Sequence, residues 1–167
     1  MKKILTYFIL IIVVQKSYGQ IFHRKENQER LVILSPGVSL QGNGNIYAEL
    51  NLMLAKLESG GPCNPSALTG PRIGIETNFR NDHFVYAPKI GWEASGLLFC
   101  FRGNAVTYID KGKVDLRILP EIGLSLLSGI NLIYGYNIPL LDYRTTATTR
   151  HRLTLTVNLD FDLWGSF

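Results

Sequence analysis

The amino-acid sequence predicts an all-β fold, an antiparallel up-and-down transmembrane β-barrel of about eight strands. Three observations lead to this prediction: a long period-2 alternation near the C-terminus, a secretory N-terminus, and strand-length runs separated by turn residues. In residues 153–163, polar residues alternate with the members of one apolar face: Leu153, Leu155, Val157, Leu159, Phe161 and Leu163. Such alternation predicts an extended strand with one wet face and one apolar face.

The N-terminus has the pattern of a secretory signal peptide. Two lysines precede the apolar run 4–14, and Ser17 and Gly19 supply the small residues expected before a cleavage site. The apolar run is shorter than the roughly 20 residues that a membrane-spanning helix needs. We therefore expect residues 1–19 to be removed on export.

The charge balance gives no support for nucleic-acid binding. The chain has 17 basic and 13 acidic residues, a formal net charge of +4. Lys2, Lys3 and Lys16 leave with the signal peptide, so the mature chain carries 14 basic residues against 13 acidic ones. These residues are interspersed and form no basic stripe of the kind that a nucleic-acid interface requires.

The two cysteines are left open, and no metal site or cofactor is expected. Cys63 lies in a loop rich in glycine and proline, whereas Cys100 lies within a strand, and sequence cannot establish the close approach that a disulfide needs. Two cysteines and three scattered histidines are a poor zinc set. Asp160 and Asp162 share one face and could hold a divalent cation, but without a third ligand we favour pairing with arginine or lysine.

Turn residues divide the barrel domain, residues 31–167, into eight runs that follow a polar lead over residues 20–30. The runs are separated by glycine, asparagine, aspartate and serine. The expected strands are 31–41, 46–57, 70–79, 84–94, 97–109, 114–127, 130–138 and 153–163. A threonine-rich loop, residues 141–149, precedes the last strand. Lipid forces such a sheet to close, because an open edge would leave backbone groups unpaired in hydrocarbon.

Four prolines begin copies of the pattern P-x-[IV]-[GS]-apolar, which supports a series of repeated hairpins: Pro36, Pro71, Pro88 and Pro120. Proline has no N–H group to donate, so a proline inside a strand normally indicates a sheet edge. We therefore expect these four prolines near strand ends or at bulges, where the ladder loses no hydrogen bond.

Residue parity assigns the side chains to two faces. The first face is apolar: Ile73, Ile75, Phe79, Phe84, Tyr86, Ile90, Trp92, Phe99, Phe101, Ile118, Ile122, Leu124, Leu132, Tyr134 and Tyr136. The second face carries charged residues of both signs together with Asn131, Asn137, Gly74, Gly91, Gly123 and Gly135. A soluble barrel such as a lipocalin turns its apolar face inwards, and a membrane barrel turns it outwards. Glycines among the charges favour the membrane arrangement, because they leave room for long charged side chains to pair across a narrow lumen.

The charged residues of the second face are the candidate functional residues: Glu49, Arg72, Glu76, Lys89, Glu93, Arg102, Asp115, Arg117, Glu121, Asp160 and Asp162. They could form an ion or proton path, or a gate. The alternative is a structural network of salt bridges that fills the lumen. Because buried charges must be paired, we favour the structural network.

Aromatic residues and histidines raise two further hypotheses. Five aromatic residues are typical of the interfacial anchors of a membrane protein, with core packing as the alternative: Tyr86, Trp92, Tyr108, Tyr134 and Tyr136. A membrane-embedded hydrolase is the second hypothesis, and it would draw on these residues: His83, His151, Ser35, Ser39 and Ser125. Nucleophilic catalysis needs a base oriented against its nucleophile, and no G-x-S-x-G motif is present, so we expect no catalysis.

Three segments resemble the small outer-membrane β-barrel proteins of Bacteroidetes: YAPKIGWE at 86–93, LPEIGLS at 119–125 and NLIYGYNI at 131–138. The cleavage region SYGQ, residues 17–20, is similar to signals from the same group. The resemblance covers residues 70–167 and implies an OmpA- or OmpX-like barrel in the outer membrane, without implying an activity. The loop around Cys63 departs from this pattern, because it falls where a short periplasmic turn is expected.

We therefore expect a monomeric outer-membrane β-barrel with a structural or surface-interaction role. Its partners would be outer-membrane lipid and, during insertion, the barrel-assembly machinery. That machinery would read a C-terminal signal that includes Leu159, Phe161, Leu163 and Phe167. The alternatives are a soluble periplasmic barrel that binds an apolar ligand and an outer-membrane enzyme that modifies lipid.

Overall fold

The computed structural model describes residues 30–58, 67–78, 84–96, 98–126 and 128–160, which form one antiparallel sheet. Its strands are β1 (Arg30–Gln41), β2 (Ile46–Glu58), β3 (Ala67–Asn78), β4 (Val85–Ser95), β5 (Phe99–Asp110), β6 (Lys113–Leu126), β7 (Ile130–Tyr136, continued by Ile138–Pro139) and β8 (His151–Val157, continued by Leu159–Asp160). Within these ranges, no helix has the length and hydropathy to cross a membrane.

Each strand pairs with its neighbours in the chain, and β8 pairs with β1. The sheet is therefore a closed eight-stranded up-and-down barrel, which confirms the predicted all-β, antiparallel barrel architecture. The eight strands begin and end within three residues of the expected positions wherever both ends are described. The expected signal peptide, the loop around Cys63 and residues 161–167 lie outside the described residues.

The register around the barrel determines its tilt and width. Paired residues lead from β1 once around the sheet through Arg30, Lys56, Thr69, Ala94, Phe101, Ile122, Tyr134, Leu153 and Leu40. The circuit returns to β1 ten residues beyond its start. For eight strands, this stagger corresponds to a tilt of about 40° and a backbone radius of about 8 Å. Side chains fill a lumen of that width.

The apolar face points outwards and the polar face points into the lumen. Among the described residues, 28 large apolar side chains are exposed. Buried polar or charged residues also number 28, against 14 buried apolar ones. Along the middle of the strands, the described side chains of the outer face include no Asp, Glu, Lys or Arg. Parity assigned the faces correctly for the described residues; Phe79, Asp162 and the Asp160 side chain lie outside them.

The four repeated prolines lie inside strands, so the expectation of strand ends or bulges is wrong. Each coincides with a two-residue gap in the pairing on one side of its strand: Pro36 towards β8, Pro71 towards β2, Pro88 towards β5 and Pro120 towards β7. The register is the same on both sides of each gap, so no residue is inserted. Because proline has no N–H group, one side of the ladder loses a bond while the other side stays paired. The gaps interrupt β7 at Asn137 and β8 at Asn158.

The two ends of the barrel differ. The end that contains Arg30 and Asp160 is called the terminal end. The other end is covered by residues 140–150, called the cap. The Thr145 N–H donates to Asp115 at 2.8 Å, and Asn45 donates to the Ala147 carbonyl at 2.7 Å, so the cap is fixed to the barrel rim.

Candidate functional site: the charged lumen

Four charged side chains meet in the lumen and form the four-charge cluster: Glu49, Glu76, Lys89 and Arg152. Arg152 donates from Nη1 to both Glu76 oxygens, at 3.0 and 2.9 Å, and from Nη2 to Glu49 at 3.0 Å. Lys89 donates to Glu49 and lies 3.4 Å from Glu76. All four are buried. Two acids and two bases balance one another, as a buried cluster requires.

A second group, called the arginine pair, lies closer to the terminal end. Arg72 and Arg102 share one carboxylate, because Glu93 lies 2.8 Å from Arg72 Nη1 and 2.8 Å from Arg102 Nε. Arg102 Nη2 also donates to Glu93 at 3.2 Å and to Thr156 Oγ1 at 2.8 Å. The buried Cys100 thiol lies 3.7 Å from Glu93.

A third group of charges fastens the cap to the barrel. Arg117 makes three hydrogen bonds to Asp115, of 2.7 to 3.1 Å. The Thr145 hydroxyl donates to Asp110 at 2.7 Å. Desolvation, followed by the charges of Asp110 and Asp115, raises the pKa of Tyr143 on the cap. The cap therefore closes this end through bonds to two buried carboxylates.

Glycines provide the space that the charged side chains occupy. A Cβ atom on Gly135 would lie 3.0 Å from Cγ of Arg152 and 3.1 Å from Cγ of Glu121. A Cβ atom on Gly37 would lie 3.0 Å from Cγ of Glu49. Of the four glycines that parity placed among the charges, the expectation that they make room for charged side chains holds at Gly135. At Gly74, Gly91 and Gly123 a Cβ atom would first meet backbone atoms or an asparagine side chain.

Apolar side chains pack above and below the charges inside the barrel. One cluster comprises Tyr47, Val85, Ala87, Val106, Tyr108, Leu119 and Ala147. The other comprises Leu31, Ile33, Met53, Ala55 and Leu68. Tyr108 is fully buried, packs edge-on against Tyr47 at 6.2 Å, and accepts a hydrogen bond from Arg152. An interfacial role for Tyr108 is therefore wrong.

The other four proposed aromatic anchors lie on the outer face: Tyr86, Trp92, Tyr134 and Tyr136. Trp92 donates from its indole N–H to the Thr69 hydroxyl at 3.0 Å. These aromatic residues occupy the face that an interfacial role requires.

The structure places nine of the eleven candidate charges inside the lumen: Glu49, Arg72, Glu76, Lys89, Glu93, Arg102, Asp115, Arg117 and Glu121. The Asp160 side chain and Asp162 lie outside the described residues, as do Phe161, Leu163 and Phe167 of the expected insertion signal. Sequence reasoning missed Arg152 and Asp110, each one residue beyond the end of an expected strand. Arg152 has the same parity as Thr154 and Thr156, and this was the sequence signal that could have placed it on the lumen face.

No catalytic arrangement forms among the described residues of the hydrolase hypothesis. His151 lies on the outer face, where its Nδ1 contacts the Tyr134 hydroxyl. The proposed serines Ser35, Ser39 and Ser125 face the lumen, so the sheet separates them from His151. His83 and Cys63 lie outside the described residues. In the part of the chain that is described, no group of three or more His, Cys, Asp or Glu could hold a metal ion.

Comparisons of the chain with protein-family models, with characterised proteins and with solved structures give no match. What the barrel does must therefore follow from its own chemistry. Its outer face is apolar, its lumen holds paired charges, and its cap is hydrogen-bonded to the rim.

Proposed function

We propose that the mature chain is a monomeric outer-membrane β-barrel with a structural or surface-interaction role and no catalysis. The observation that carries the proposal is the outer face, where the strands expose 24 large apolar side chains among the described residues. Soluble monomers rarely expose a contiguous apolar patch of more than a few hundred Å². Lipid is the solvent that such a surface fits.

The strand lengths are consistent with this proposal. Strands β1–β6 have 11 to 14 residues. A tilted strand needs about 9 to 11 residues to cross the hydrocarbon layer. The paired lumen charges would hold the barrel in one shape, as expected where the interior is narrow and contains no large aqueous channel.

The two alternatives receive less support from the described residues. A soluble barrel for an apolar ligand would need an apolar cavity, whereas this lumen is lined by three charged groups. A lipid-modifying enzyme of the serine–histidine kind would need His151 beside a serine, and the sheet separates His151 from Ser35, Ser39 and Ser125.

We assign the terminal end to the periplasm and the cap to the cell exterior. An even number of strands places both ends of the described chain, Arg30 and Asp160, on one side. The cap presents Arg144, Thr146 and Arg150 as exposed side chains. A surface-interaction role would use this cap, and insertion would use the barrel-assembly machinery.

Reconstitution into phosphatidylcholine vesicles tests this proposal. Residues 20–167 would be refolded with vesicles, floated in a density gradient, and treated with trypsin from outside. We expect the chain to float with the lipid and its strands to be protected. In barrels whose cap faces outwards, cleavage should be confined to the exposed basic residues of the cap end, which include Lys111, Lys113, Arg144 and Arg150. A folded chain that remains in the aqueous fraction would contradict the proposal. A chain that is folded before vesicles are added serves as the control for adsorption.

A further inference from the structure

The arginine pair carries more positive charge than its immediate partners neutralise. Arg72 and Arg102 have one ion-pair partner within 4 Å among the described residues, the shared carboxylate of Glu93. Both guanidinium groups are buried. Taking two cations out of water with one carboxylate between them is expensive, so a further negative group is favoured at this position.

Four guanidinium nitrogens at this place have no hydrogen-bond partner among the described residues: Arg72 Nε, Arg72 Nη2, Arg102 Nε and Arg102 Nη1. Of these, Arg102 Nε lies within ion-pair distance of Glu93, at 2.8 Å. A guanidinium group keeps its protons in proteins, so each of these nitrogens remains a donor. Buried donors without acceptors are uncommon in folded proteins, and each calls for an explanation.

Two other buried carboxylates of the lumen are engaged elsewhere. Glu49 and Glu76 are bound by Lys89 and Arg152 in the four-charge cluster. Glu121 faces Arg102 in the register of β5 and β6, accepts from Asn104 through Oε2 at 2.7 Å and lies 3.8 Å from Arg152. Its Oε1 has no hydrogen-bond partner among the described residues, and its charge acts on the arginine pair without an ion-pair contact.

Short polar side chains lie between the arginine pair and the terminal end. Ser95 follows Glu93 by two residues on the same face, and Ser125 pairs with Asn131 in the sheet. Asn131 in turn pairs with Thr156, which accepts from Arg102. The hydroxyls of Ser95 and Ser125 and the amide of Asn131 are buried without partners among the described residues. We call the part of the lumen between the arginine pair and these side chains the chamber. By register, it brings hydroxyl and amide groups to the side of the two cations that faces the terminal end.

We propose that the chamber binds a small monovalent inorganic anion of the size of chloride, held by Arg72 and Arg102. The anion accepts from the unpaired guanidinium nitrogens. Charge-assisted hydrogen bonds of this kind are among the stronger ones in proteins. The anion site requires the closed barrel but does not require the barrel to lie in a membrane. A negative result in the anion test is therefore distinguishable from a failure of the proposed membrane function.

Thermal unfolding of the folded full-length mature barrel tests the site, with chloride replaced by gluconate at constant ionic strength. Gluconate is a much larger anion than chloride and serves as the replacement. A ligand that binds only the folded state raises the melting temperature with its concentration. We expect chloride to raise it along a saturable curve. A response that is absent, or that rises without saturation to the same extent in all variants, overturns the proposal.

Two variants connect the response to the arginine pair. Arg72→Met is expected to weaken the apparent chloride affinity at least about tenfold, the value of one hydrogen bond to a charged group. The matched control is Arg117→Met, since Arg117 is a buried arginine with its own partner, Asp115, at the cap end. It is expected to lower the melting temperature and to keep the chloride response. If both variants lose the response equally, the proposal is wrong.

Glu93→Gln keeps the proposal testable if Arg72→Met does not fold. The amide preserves the shape of Glu93 and removes the competing negative charge, so chloride is expected to bind at least about tenfold more tightly. An unchanged or weaker affinity overturns the proposal. Crystals grown in bromide are expected to give an anomalous peak between Arg72 and Arg102, and an ordered water without anomalous signal at that position would contradict the site.

Discussion

Arg152, on the last strand, donates two hydrogen bonds to Glu76, which lies 76 residues earlier on β3. The two strands are not neighbours in the sheet, so this contact crosses the lumen. The same arginine also reaches Glu49 on β2 at 3.0 Å. One side chain thereby ties the closing strand of the barrel to its opposite wall.

Arg152→Met is expected to lower the free energy of unfolding by about 3 to 5 kcal/mol, because it leaves two buried carboxylates with Lys89 alone. Urea unfolding, followed by tryptophan fluorescence of the folded barrel, measures this loss. The neighbouring exposed arginine supplies a control: Arg150→Met should change the value by no more than about 0.5 kcal/mol. Equal effects of the two variants would contradict a structural role for Arg152.

The double variant Arg152→Met/Glu76→Gln tests the pairing itself. Removing the carboxylate together with its partner restores the balance between Glu49 and Lys89. The double variant should therefore be more stable than Arg152→Met alone, with a coupling of about 0.5 to 3 kcal/mol. Additive losses in a double-mutant cycle would show that Arg152 and Glu76 act independently.

Gly135→Ala is expected to cost about 1 to 3 kcal/mol of stability, because the added methyl group enters space used by Arg152 and Glu121. Its Cβ atom would also lie 2.9 Å from Leu119 Cδ1. Gly103→Ala is the matched control, since no atom lies within 4 Å of a Cβ at that outer-face position. Unfolding midpoints in urea compare the two variants. A Gly103→Ala loss as large as that of Gly135→Ala would refute the lumen explanation.

Thr145→Val is expected to loosen the cap, because it removes the hydroxyl that donates to Asp110 at 2.7 Å. A net loss of about 1 kcal/mol for one hydrogen bond corresponds to roughly fivefold faster cleavage of the cap by trypsin, if cleavage follows cap opening. Limited proteolysis at Arg144 and Arg150 measures the rate. Thr146→Val, at an exposed neighbouring position, should leave the rate unchanged.

Ile73→Lys distinguishes a lipid-facing surface from a water-facing one. Ile73 is exposed near the middle of β3, so a lysine there should cost about 2 to 4 kcal/mol in a bilayer. Val114→Lys, at the second residue of β6, should cost no more than about 1 kcal/mol. Urea unfolding from vesicles measures both. Two variants as stable as the parent chain would indicate that this face contacts water.

Alternation in the sequence was sufficient to predict the eight strands and their faces, because a side chain changes sides at every residue of a strand. It could not predict which charges pair. The contact between Glu76 and Arg152 depends on the stagger of the closed barrel and on the cap end of β8, which begins at His151 rather than at Leu153. Tyr108 shares the polar parity of β5, so its buried position was readable from parity.

The prolines show a second limit. Sequence rules treat a proline as a marker of a strand end, yet Pro120 lies within β6 opposite an interruption at Asn137. A backbone N–H group in a sheet points towards only one of the two neighbouring strands, so a proline leaves a gap on that side alone. Which neighbour that is depends on the phase of pairing with each of them. The phase follows from the register of the whole sheet.

Cell fractionation, followed by gel electrophoresis of the outer-membrane fraction with and without boiling, tests the central claim most directly. A closed barrel embedded in lipid is expected in the membrane fraction, and its unboiled form should migrate differently from the boiled form. Recovery of the mature chain as a soluble periplasmic protein, with one mobility under both conditions, would contradict the claim that its apolar outer face contacts lipid.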